Sequence, residues 1–264
     1  MKLIRRHRIA KALLSSQYAL MLEYRAEIVL WALSGLLPLI MLGVWIDSAA
    51  GVDAGYSALS LSRYFIAAFV VRQFSVVWVI HVFEKDALEG RLSPFLLQPL
   101  HPFWRYFAAH LSEQATRLPI VAGLLLLLAL LMPTAVQWPG LSAFLLGLLA
   151  TQLAFLVRFL LQSVLTMLCF WSERATALDR LLQIPYIFLS GLVAPLDVFP
   201  PAVKSIALWT PFPYVLSFPA KLLAAETVNL SAGFGALLAW TLLLLTLTLA
   251  LWRAGVRHYS AMGA

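Results

Sequence analysis

Between Ile28 and Ile46 the chain runs nineteen residues without a charged side chain. At about 1.5 Å per helical residue such a run crosses a hydrocarbon core of about 30 Å. Comparable runs recur at about 61–82, 118–132, 141–170, 181–196 and 232–252. Lipid satisfies no backbone hydrogen bond, so membrane spans must be helices or closed barrels, and these runs are long for barrel strands. The sequence therefore predicts an all-α polytopic membrane protein. It reads as a single transmembrane domain over 1–264 with six spans.

Composition agrees. Charged residues make up 12% of the chain, about half of the roughly 25% found in soluble domains. Mean hydropathy is +0.89. The net charge of +7 does not imply nucleic acid, because the basic residues gather beside apolar runs, where they set orientation and meet anionic lipid. Six, four, two and two basic residues precede span one, separate spans two and three, separate spans four and five, and follow span six. The two short opposite loops hold none, and 197–230 holds only Lys204 and Lys221. Both termini are expected in the cytoplasm.

Residues 1–27 carry Lys2, Arg5, Arg6, Arg8, Lys11 and Arg25, with Leu3, Ala10, Leu14, Tyr18, Met21 and Leu22 along one stripe. That pattern predicts a basic amphipathic helix in the interfacial plane, an ordinary basic flank being the alternative. The following apolar run exceeds the ~7–15 residues of a secretory signal, so span one reads as a retained anchor. Small residues at 48–51 and Asp47 follow it.

Charges inside spans are expensive and functional by default. Arg63 lies near a span end and can snorkel. Arg72 falls near mid-depth in span two and Arg158 inside span four. Arg72 reads either as lining a translocation path or as a structural tie to an acid or backbone carbonyls. Arg158 is a second candidate for the path.

The longest polar interruption is 84–105, EKDALEGRLSPFLLQPLHPFWR. Charges at Glu84, Lys85, Asp86, Glu89 and Arg91 surround turn residues Gly90, Pro94, Pro99 and Pro102 and a small apolar patch, Leu92, Phe95, Leu96 and Leu97. It reads as a cytoplasmic docking segment, a merely solvated loop being the competing reading. A second odd block, 197–230, is too apolar for a solvated loop and too proline-rich for a span. It is expected to form one or two short helices on the outer surface.

Several chemistries lack their motifs. The chain has no Gly-Lys-Ser/Thr phosphate loop, no His-Glu-x-x-His and no Gly-x-Ser-x-Gly. Cys169 is the single cysteine, and His7, His81, His101, His110 and His258 have no ligand spacing, so they read as interfacial or loop residues. Acids are expected only at span ends and in loops, which disfavours a proton-driven carrier. A membrane enzyme acting on lipid or isoprenoid substrates, or a scaffold, remains an alternative. The only polar cluster for such an enzyme is Trp171–Arg180, with Glu173, Arg174, Asp179 and Arg180.

Three stretches carry a family likeness: Glu23-Tyr24-Arg25 before span one, Glu89 to Leu100 (EGRLSPFLLQPL), and Ser190 to Pro200 (SGLVAPLDVFP) running on to Thr210–Tyr214 (TPFPY). With the span pattern, they resemble permeases of bacterial type-2, exporter-class ABC transporters, in the subfamily with two related permeases and a separate ATPase. The resemblance implies a plasma (inner) membrane location and a coupling helix in 84–105 that docks the nucleotide-binding subunit. Glu84, Asp86, Glu89, Gly90, Arg91, Leu92, Phe95, Leu96 and Leu97 would form that contact. It further implies a second permease, identical or related, and ATP with Mg bound by the partner rather than by this chain. The cargo would be exported and amphipathic or lipid-like, with Arg72 and Arg158 on its possible path.

Overall fold

The computed structural model describes residues 2–46, 55–172 and 175–259, and side chains of 2–7 and 25 are not among those described. Asp47, the small residues at 48–51, Glu173 and Arg174 lie outside the described residues. Among the described residues the chain is all-helical, and five stretches are long and apolar enough to cross a membrane: Ala26–Trp45, Ala58–Leu88, Phe103–Leu131, Leu141–Phe170 and Leu230–Gly255.

Helix α1 (Lys2–Glu23) packs on α7 (Phe103–Leu131). The expected stripe residues Ala10, Leu14 and Tyr18 border an open groove against α7, and Gln17 is the buried member of the helix. The first span is two helices, α2 (Arg25–Ser34) and α3 (Leu37–Trp45), with Pro38 in the first turn of α3. The second is also two, α4 (Ala58–Ser75) and α5 (Val79–Leu88). Ser57 starts α4 with a reciprocal cap: its Oγ accepts from Ser60 N at 3.1 Å, while Ser57 N donates to Ser60 Oγ at 2.8 Å. Short α6 (Leu92–Leu96) follows, and α7 begins at Phe103, well before the run at 118–132 that marks its apolar part.

The centre of the bundle is α8 (Leu141–Met167), against which α4, α5, α9 (Thr176–Leu189), α11 (Phe212–Val215), α12 (Ser217–Leu223) and α13 (Leu230–Gly255) pack. In place of the fifth run, α9 has fourteen residues, about 21 Å of helix, and ends at a turn where Gly191 takes φ +88°. Only glycine adopts that region without strain. The turn is held by Tyr64, whose hydroxyl donates to Gly191 O at 2.8 Å, and by Ser217 N donating to Ser190 O at 3.1 Å.

The block 197–230, expected as an external re-entrant hairpin, forms short helices that differ in burial. Helix α10 (Pro201–Leu208) is on the surface, with Trp209 after it 86% exposed. The next two short helices are interior: Phe212, Val215, Leu216, Phe218 and Leu222 are buried in the main core with Tyr64, Phe65 and Leu237. Proline breaks these helices early, and their apolar faces then pack on α4 and α8. At its entrance Asp197 accepts from Lys204 at 2.6 Å, from Tyr56 at 2.9 Å and from Lys221. Burial opposes the Asp197 charge, but those bonds and the Lys221 charge outweigh it and hold the carboxyl well below the usual range.

Two hydrophobic clusters mark two ends. The larger lies toward the 197–230 block. The smaller, with Phe83, Leu92, Tyr106, Phe159 and Met167, lies toward α6 and the end of α13. Many leucines of α7 and α13 face outward, among them Leu126, Leu130 and Leu242, as lipid contact requires.

Candidate functional site

Three arrangements carry chemistry. The first is the polar segment 84–105. After α5 the chain turns at Gly90, φ +72°, into α6. Glu84 points inward: its carboxylate accepts from Thr176 N at 2.7 Å and from Thr176 Oγ1 at 3.0 Å. It thus sits on the first turn of α9, where the helix dipole favours an anion. Asp86 is buried, accepting from Tyr106 Oη at 2.8 Å and pairing with Arg91 Nε at 3.2 Å. Arg91 also pairs with Glu89 at 2.8 Å. Leu92 is fully buried and Leu96 packs on the same cluster. Phe95 is half-buried beneath the Arg105 guanidinium, 4.3 Å from its ring centre.

The nine residues expected to face a partner therefore divide. Glu84, Asp86 and Leu92 hold the segment in shape. Glu89, Arg91 and Leu97, the last 88% exposed, face out, joined by Leu88, Pro94 and Gln98, which are not among the nine. Nearby His101 has its charged form disfavoured by burial, its Nε2 being enclosed without a partner.

The second arrangement is a break in the second span. Val76 is extended (φ −66°, ψ 135°), and α5 restarts only at Val79. Backbone groups freed inside a membrane must find partners, and α7 supplies them. Gln114 Nε2 donates to Phe74 O at 2.6 Å, Arg117 donates to Gln73 O at 3.3 Å, and Trp78 N donates to His110 Nε2 at 3.0 Å. Because Nε2 accepts, the His110 proton sits on Nδ1 and donates to Tyr106 O at 2.7 Å. Glu113 accepts from Trp78 Nε1 and from Arg117, closing a buried ion pair. Gln73 Nε2 donates to Ala32 O at 2.8 Å, tying the break to α2.

His110 is not in a loop: it lies 1% exposed inside α7. Glu113, ahead of the apolar run at 118–132, is buried in the same helix and engaged by Arg117 and Trp78.

The third arrangement brings Arg72 and Arg158 together. Arg158 NH1 donates to Tyr186 Oη at 2.7 Å, with its guanidinium 4.2 Å from the tyrosine ring centre. Arg72 approaches the same tyrosine, and its Nε is buried without a partner. Among the described residues no carboxylate lies within 4.0 Å of either arginine. A cleft between α8, α9 and α11 runs from Arg158 and Tyr186 past Gln162 and Gln183 to Asp179.

The described part of Trp171–Arg180 forms no acid–base cluster. Asp179 is buried and accepts from Gln162 Nε2 at 3.1 Å, while Arg180 is exposed. No group of three or more His, Cys, Asp or Glu among the described residues is placed to hold a metal.

No curated protein matches the chain. The family described as ABC-2 family transporter protein matches residues 29–263, leaving α1 ahead of the matched region. With nearly the whole helical bundle inside that match, the chain belongs to the ABC-2 transporter family as a membrane permease subunit.

Proposed function

We propose that the chain is the permease of an exporter powered by a separate ATPase, which docks on the segment 84–105. The observation that carries this is the construction of that segment. A subunit that pushes on a helix bundle needs an ordered contact, with apolar residues left free at its centre. Here buried Leu92, the Asp86–Tyr106 bond and the Glu84–Thr176 bonds fix the segment, and Leu88 and Leu97 stand out of it beside Glu89 and Arg91.

The same bonds supply a mechanical route. The break at 76–78 separates α5 from α4, so α5 and α6 can move as a unit. Glu84 would carry that motion to the start of α9, and α9 bears Tyr186. Nucleotide-driven closure of the partner, with ATP and Mg on that subunit, would thus reach Arg72 and Arg158, which we place on the cargo path. In this reading the chain crosses the bacterial inner membrane six times with both termini cytoplasmic. The helix α1 lies at the membrane surface, and a second permease, identical or related, completes the path for an amphipathic or lipid-like cargo.

Purification in mild detergent from the native host, followed by mass spectrometry, tests this. A stoichiometric soluble ATP-binding protein together with a six-span permease is the expected result. Leu97→Asp should remove the ATP-binding protein while the chain still folds, since Leu97 is on the surface. Recovery of the chain with only non-ATPase partners would instead support the scaffold or enzyme alternative.

A further inference from the structure

The cleft beside Arg158 has the donors and acceptors of a headgroup site. Arg72 lies about 21 Å along α4 and Arg158 about 26 Å along α8 at 1.5 Å per residue, so both are well inside candidate spans. Arg117 is neutralised by Glu113, whereas Arg72 and Arg158 share only the hydroxyl and ring of Tyr186. Asp179, at the far end of the cleft, offsets one of the two charges. One positive charge is left over.

A guanidinium has five N–H donors, fitted to the paired oxygens of phosphate or carboxylate. Arg158 gives one hydrogen bond to protein. Gln162 is 6% exposed and lines the same cleft; its Nε2 donates to Asp179, which fixes the amide orientation, and its Oε1 is buried without a partner. That oxygen calls for a donor. A leftover cation and a leftover acceptor about one helical turn apart on α8 define the missing group.

We propose that this cleft binds the headgroup of an amphipathic molecule carrying an oxyanion and a nearby hydroxyl or ammonium donor. Arg158, with Arg72 behind it, takes the oxyanion, and Gln162 takes the donor. The cleft is narrow here, about 30 Å³, room for a few water molecules but not for a headgroup. Entry of a headgroup therefore needs α9 to move outward, on the side where Leu181, Ile184 and Phe188 are exposed. This rests on the permease reading for its role as cargo recognition, but the binding itself needs no ATPase.

The test uses the full chain in neutral detergent, with melting temperature followed against phosphatidylglycerol, phosphatidylcholine and glycerol 3-phosphate. Phosphatidylglycerol should stabilise the wild type at least tenfold more potently than phosphatidylcholine, which lacks a donor. Arg158→Gln should remove that preference and Arg158→Lys should retain part of it. A response to glycerol 3-phosphate as strong as that to the lipid would assign the site to a soluble anion. Equal responses to the two lipids, or an unchanged preference in Arg158→Gln, would overturn the proposal. Should Arg158→Gln fail to fold, a photoactivatable phosphatidylglycerol on the wild type decides. Labelling of α8 and α9 peptides supports the site, and labelling confined to the α1–α7 groove overturns it. Failure here leaves the co-purification test of the permease reading untouched.

Discussion

Arg117 and Arg158 are both arginines within helices long enough to span a membrane, yet their surroundings differ in kind. Arg117 meets a carboxylate four residues earlier on its own helix and a backbone carbonyl opened by the break in the second span. The break is tied down by specific bonds: His110 takes Trp78 N, Gln114 takes Phe74 O, and Glu113 takes Trp78 Nε1, while Arg117 Nε and Gln73 Oε1 are buried without partners. Arg158 meets a tyrosine and a cleft. A charge in lipid is tolerated for its structural bonds or for its cargo, and a paired carboxylate tells the two apart.

Glu113→Ala gives the largest effect. It leaves Arg117 enclosed without its counter-charge, and breaking a buried pair in this way costs about 3–5 kcal/mol. The melting temperature in detergent should fall steeply, and lipid should not restore it. A change under about 1 kcal/mol would place Arg117 with Arg158, as a charge the fold does not use.

Asp197 belongs on the Arg117 side of the comparison, since Lys204, Lys221 and Tyr56 all donate to it. Asp197→Asn should cost about 1.5–3 kcal/mol, the usual range for hydrogen bonds to a charged group. The folded carboxyl is depressed, so its contribution is complete above the ordinary value of 3.8 and is lost as pH falls below it toward the folded value. The gap between variant and wild type should therefore stay constant from pH 8 to about 5, as checked by melting curves at each pH. A gap that closes within that window would contradict the assignment.

Arg158→Gln is the smallest in stability, within about 1 kcal/mol of wild type, because among the described residues no carboxylate lies within 4.0 Å of the charge it removes. Its effect should appear in the lipid preference instead. A loss of stability matching that of Glu113→Ala would erase the distinction.

Five of the six expected spans were legible because apolar runs of this length have few other uses, and the turn at Gly90 fell where glycine marks it, whereas the turn at Gly191 falls inside the run expected as the fifth span. Arg72 and Arg158 were legible as exceptions to the cost of burying charge, although nothing in the sequence joins them to Tyr186, which lies on a different helix. The break at 76–78 was not legible, since Ser75-Val76-Val77-Trp78 contains neither proline nor glycine. Its signal was across the sequence: His110, Glu113, Gln114 and Arg117 share one helical face by their spacing, and a polar face on a long apolar helix needs something to bond. Counting charges in 84–105 could not separate Glu84 and Asp86, which hold the segment from inside, from Glu89, which faces out. Likewise, proline and apolar density in 197–230 argued against a solvated loop and against a span, but did not say that Phe212 to Leu222 would enter the core.

The most direct test of docking contrasts two exposed apolar residues at opposite ends of the bundle. Leu97, 88% exposed, and Trp209, 86% exposed, are each replaced by a photo-crosslinking amino acid in the native host. Irradiation should join position 97 to a soluble ATP-binding subunit and leave position 209 unlinked to it. Crosslinking of that subunit at 209, or at neither position while the chain remains folded in the membrane, would contradict docking through 84–105.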